Sequence, residues 1–148
     1  MSTVQQISGF LESIGIPVRT AVIDEPTFLP GIRIDRGGLL IDPEKLSYPG
    51  DLLHEAGHLA ILTPEDRAAM TDNAGDDGGN EMTAIAWSYA ASLEIGLDIQ
   101  ILFHPDGYKG GAQSIAENFA AGRYFGHPLL QAWGMAGPDY PKMLRWVR

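Results

Sequence analysis

The stretch "DLLHEAGHLAIL", residues 51–62, places His54 and His58 four positions apart, with Glu55 directly after the first histidine. An α-helix turns once in about 3.6 residues, so both imidazoles leave the same face, one turn apart. Pro49 suits the first turn of this helix, where its missing N–H would be unpaired in any case, and the pattern predicts an end near Thr63. Ala56 and Gly57 are small and admit a second element at close range. In an HExxH arrangement the two histidines bind zinc and the glutamate addresses the water that the metal activates. The reading is therefore a metal site with His54 and His58 as ligands and Glu55 as general base. Two partly buried histidines on an ordinary packing face are the competing reading.

Such a site needs a third protein ligand and one open position. The extended pattern HExxHxxGxxH fails, because Ile61 and Pro64 stand at its glycine and last histidine. The third ligand must come from further along. Glu81 is the leading candidate, at the head of a long predicted helix (81–96) and behind the Gly/Asp/Asn-rich loop "TDNAGDDGGN" (71–80), which permits a chain reversal. Glu94 lies on the same helix but faces roughly the opposite side at about 100° per residue. Asp77, His104 and His127 are the other candidates. Tyr108, Tyr124, His104 and His127 are the polar side chains available to stabilise an oxyanion, although each also reads as structural or exposed. Asp106, in the turn "HPDGY", either orients a ligand histidine or shapes the turn. Two histidines and a carboxylate also suit Fe(II), but HExxH on one helix favours zinc.

Around this core the chain reads as α+β. Val4, Ile7, Phe10, Leu11 and Ile14 recur at helical spacing until Gly15 and Pro17. "PVRTAVI" (17–23) reads as a strand and "GIRIDRGGLLID" (31–42) as a hairpin with its turn at "RGG". Thr63 caps a short helix, Asp98 is positioned to cap another, and 112–126 and 128–135 read as two more. The order is a helix, then a small N-terminal sheet, then helices, in one domain spanning 1–148. Trp87, Tyr89, Trp133 and Trp146 are expected in the core or at its rim, and the end "MLRWVR" as a solvated tail.

Composition narrows the function. The net charge of −9 repels phosphate backbones, so no nucleic-acid partner is expected. There is no cysteine, which excludes thiolate metal sites and a cysteine nucleophile. The N-terminus lacks a signal-peptide pattern and no apolar run approaches a bilayer span, so a cytoplasmic protein without a membrane partner is expected.

"LLHEAGHLA" (52–60) followed by "EMTAIAWSYAA" (81–91) resembles the gluzincin-type metallopeptidases, and most of all the minimal zincin domains of the ImmA/IrrE group. There a HExxH helix is followed by a second helix of the form E-x-x-A-x-x-aromatic, matched here by Glu81, Ala84 and Trp87, with Ile85 or Ala86 where asparagine is frequent. "GGLLID" (37–42) is similar to the strand preceding the HExxH helix, and the resemblance spans residues 17–95. It implies Zn2+ held by His54, His58 and Glu81, Glu55 as catalytic base, and a peptide or protein substrate lying along the hairpin edge strand. The alternatives are a non-catalytic metal-binding regulatory domain of the same fold, and a structural domain with no metal.

Overall fold

The computed structural model describes residues 1–73 and 78–148. It is an α+β arrangement. In chain order the described residues form α1 (Thr3–Ser13), β1 (Val18–Thr20), β2 (Ile32–Asp35), β3 (Gly38–Ile41), α2 (Gly50–Ala60), α3 (Pro64–Ala69), α4 (Gly78–Ile95), α5 (Ile99–Leu102), α6 (Ala112–Ala120) and α7 (His127–Ala132).

Local chemistry sets most boundaries. The Ser2 hydroxyl and the Gln5 side chain form a reciprocal capping box on α1. Thr63 accepts from the Asp66 N–H at the start of α3, and Asp98 from the Gln100 N–H at α5. The hairpin turn is Arg36–Gly37, both at positive φ, as a two-residue loop between twisted strands requires. The helix expected over 112–126 stops at Ala120, because the Arg123 N–H bonds back to the Asn118 carbonyl and closes the last turn.

The sheet has the order β1-β3-β2, with β3 in the middle, parallel to β1 and antiparallel to β2. The edge expected to receive a peptide is largely engaged. Both backbone groups of Ile34 that face away from β3 are bonded to Asp72, and the Ile32 N–H to the Leu29 carbonyl. Strand addition at these positions has no free donors to use.

Helix α4 is the central element. Every residue from Thr83 to Ser92 is buried. Its two buried serines bond back to the Ile85 and Tyr89 carbonyls, so no hydroxyl is left unsatisfied there. Helix α2 packs against it at Gly57. A Cβ at that position would sit 2.9 Å from the Ala84 carbonyl oxygen and 3.2 Å from the Trp87 ring. Gly57 thus sets the α2–α4 separation, and with it the distance from the histidines on α2 to Glu81 on α4. Gly57→Ala is expected to cost about 1–3 kcal/mol in urea unfolding through overpacking, as the two helices are forced apart.

The C-terminal segment is not a solvated tail. Trp146 meets Phe10 and Trp87 edge-on at 5.1 and 5.7 Å, and its carbonyl accepts the Trp87 indole N–H at 2.9 Å. Arg148 donates to the Ala60 and Ile61 carbonyls, and Arg67 to those of Leu59 and Leu62. These cations cover the C-terminal end of α2, where four carbonyls lack helical partners and the helix dipole is negative. Their arrival explains why α2 ends at Ala60 rather than near Thr63. Trp146→Ala is expected to lower unfolding free energy by about 3 kcal/mol in denaturant titration; a change within about 0.5 kcal/mol, normal for a surface position, would place the tail outside the core.

Candidate metal centre

Helices α2 and α4 bring three donors together. His54 Nε2 lies 3.0 Å from one Glu81 carboxylate oxygen, and His58 Nε2 lies 2.7 Å from the other. One ligand atom from each residue falls within 4.8 Å of the others. The imidazoles stand edge to face with centroids 5.0 Å apart. Both histidines are buried, whereas the Glu81 side chain is 42 % exposed and sits in the first turn of α4. Burial alone would push the Glu81 carboxyl upward; hydrogen bonds and charge from the two histidines outweigh it and hold the group far below the usual carboxylate range. Two imidazole nitrogens and an ionised carboxylate lie close enough together to hold a metal ion, and they are donor types that a three-ligand zinc site uses. The residues present fit such an ion.

Glu55 lines the same cavity and is itself buried. Burial pushes its carboxyl above the ordinary value, and Glu81 and Asp51 add to that, against the opposing charge of the two histidines. The cavity measures about 510 Å³, within the range of small-ligand and peptide-side-chain sites. Phe28, Leu29 and Pro30 form one wall, and Ile85 and Ile115 add apolar surface.

A second polar cluster borders the first. Asp51 Oδ1 lies 2.7 Å from His104 Nε2, with both residues buried. Tyr48 stacks on the His104 ring at 3.9 Å and donates its hydroxyl to Asp106 at 2.6 Å. These contacts tie the loop after α5 to the N-terminal turn of α2. Tyr108, next in that loop, places its ring 5.1 Å from that of His54 and donates to the Leu102 carbonyl at 3.3 Å. Burial, with Asp51 and Glu81 nearby, pushes its phenol well above the ordinary value, so it remains a donor.

Among the sequence candidates, His54, His58 and Glu81 therefore meet, and Glu55, His104 and Tyr108 lie on the same cavity. His104 is not a third ligand: its Nε2 faces Asp51, and its Nδ1 is buried without a partner among the described residues. Tyr124 and His127 pack with Tyr140 and are not among the residues that line the cavity; Phe119 and Phe103 stand between Tyr124 and Tyr108. Asp77 lies outside the described residues. Asp106 holds Tyr48 rather than a histidine. The carboxylate that does orient a histidine is Asp51. Its position one turn ahead of His54 and Glu55, on the same helix face, was the available signal.

Comparison with protein-family models, curated proteins and solved structures returns no match to this chain. No helix of the described residues is long and apolar enough to cross a membrane.

Proposed function

We propose that the protein is a zinc-dependent hydrolase, and within that class a metallopeptidase acting on a peptide or protein segment. The observation that carries this reading is the convergence of His54, His58 and Glu81 on one side of a cavity whose wall also contains the buried Glu55. The resemblance of the two helices to gluzincin domains of the ImmA/IrrE type supports it. So does the apolar wall of Phe28, Leu29 and Pro30, which suits a peptide side chain.

His54, His58 and Glu81 would hold the ion. When bound, zinc supplies Lewis-acid polarisation of a carbonyl and lowers the pKa of water toward about 7. Glu55, one residue from His54, takes the proton of the attacking water and returns it to the departing amine. The Tyr108 ring lies against that of His54, and its hydroxyl, kept protonated by its surroundings, would meet a developing oxyanion by exchanging its hydrogen bond to the Leu102 carbonyl for one to the substrate. Asp51 and His104 hold the Tyr108 loop in place. A cytoplasmic location belongs to the same proposal, and cell fractionation checks it.

Thermal unfolding with increasing zinc tests the reading. Binding to the folded state alone stabilises by about 2.7 kcal/mol at a free zinc concentration one hundred times Kd, so the melting temperature should climb with added zinc and return with chelator. A melting temperature indifferent to zinc would overturn the proposal.

A further inference from the structure

Most charges in the cavity wall are already engaged. Asp51 faces His104, Asp106 accepts from Tyr48, and Glu81 faces His54 and His58. Lys109 is the only lysine or arginine among the lining residues. Its ammonium makes no hydrogen bond or ion pair among the described residues. In a chain of net charge −9, that leaves one uncommitted cation at the mouth of a candidate active site.

The backbone there points the same way. Tyr108 and Lys109 are consecutive residues in the left-handed region, at φ 58° and φ 54°. A side chain at such a position crowds its own carbonyl, and glycine does not. Gly107, Gly110 and Gly111 flank the pair, so glycine is abundant in this loop, yet both strained positions carry long side chains that line the cavity. Two bonds pin the preceding part of the loop, His104 to Asp51 and Asp106 to Tyr48, and make the strain sustainable. Strain held in this way marks residues placed for a ligand rather than for the turn.

We propose that Lys109 binds the free C-terminal carboxylate of the substrate, so that the protein acts on short peptides or on chain ends, with an apolar residue against Phe28, Ile85 and Ile115. This rests on the metallopeptidase reading for the cleavage step, but the recognition itself needs neither metal nor turnover. The ammonium offers three donors to a carboxylate, and the surrounding acidic groups repel any anion not paired with it.

The test compares N-acetyl-Phe-Leu carrying a free C-terminal carboxylate with the same peptide amidated. Calorimetry is run on chelator-stripped wild-type protein and on zinc-loaded Glu55→Gln. The acid should bind about tenfold more tightly than the amide, the worth of one hydrogen bond to a charged group. The preference should survive removal of zinc and vanish in Lys109→Gln. Lys109→Gly should abolish it too while leaving the melting temperature unchanged or higher, because the left-handed strain is relieved. Equal affinity for acid and amide, no binding of either, a preference that persists in Lys109→Gln, or a marked loss of stability in Lys109→Gly would each overturn the proposal. Absence of zinc uptake or of cleavage by the wild-type protein bears on the hydrolase reading alone, since the stripped protein reports the carboxylate preference independently.

Discussion

Replacing Glu55 with glutamine is expected to lower peptide-bond hydrolysis by about a thousandfold, within the range for loss of a positioned general base. Zinc affinity should stay close to wild type. The reason lies in the division of labour on one helix face. His54 and His58 direct their Nε2 atoms at Glu81, whereas Glu55 does not take part in that cluster and occupies the cavity wall beside it. Glutamine keeps the size and one acceptor, so the buried position is not emptied, but it does not accept a proton. Steady-state kinetics on a peptide library, with zinc content measured on the same preparation, separates the two effects. Hydrolysis that continues unchanged in Glu55→Gln would assign the activity to other residues or to a contaminant. Zinc lost along with activity would make Glu55 a structural support of the site.

Glu81→Gln should have the opposite profile. The expected loss of zinc affinity exceeds the roughly 10–100-fold typical of residues that only support a ligand, because an anionic donor itself is removed. Stability without metal should change little. Glu81 is 42 % exposed, so water can replace the carboxylate at the two imidazoles. Competition against a chromogenic chelator measures the first quantity and thermal unfolding in chelator the second. His104→Ala is the matched control from the same cavity. It should retain zinc within a few-fold, because His104 faces Asp51 and not the candidate ligands.

The parts of this architecture that sequence reading captures are those with a local cause. The HEAGH helix follows from the spacing of its histidines, the hairpin from alternation around "RGG", and the caps at Thr63 and Asp98 from side chains two or three residues from their partners. Glu81 was within reach for a similar reason: it heads a helix after a loop able to reverse the chain. What local pattern does not reveal is partner choice across long separations. Asp51 and His104 are 53 residues apart and Trp87 and Trp146 are 59 apart, so neither pair leaves a periodic trace. The place of Asp51 one turn ahead of His54 does not name His104 as its partner, and "MLRWVR" reads as a solvated tail, until packing shows what each one meets. The parallel pairing of β1 with β3 is hidden in the same way, since a three-residue strand offers no clue to its neighbour. His127 and Tyr124 carried the right chemistry for a site but do not line the cavity, a distinction that residue type alone does not make.

The proposed hydrolase requires His54, His58 and Glu81 to form one zinc site. X-ray absorption at the zinc edge on protein loaded with one equivalent addresses it most directly. A single bound zinc is expected, with two imidazole nitrogens at about 2.0–2.1 Å, a carboxylate oxygen in the same shell and room for solvent oxygen. The imidazole scattering should fall by half in His58→Ala. Failure to retain zinc, or a first shell with a number of imidazoles other than two, would contradict it.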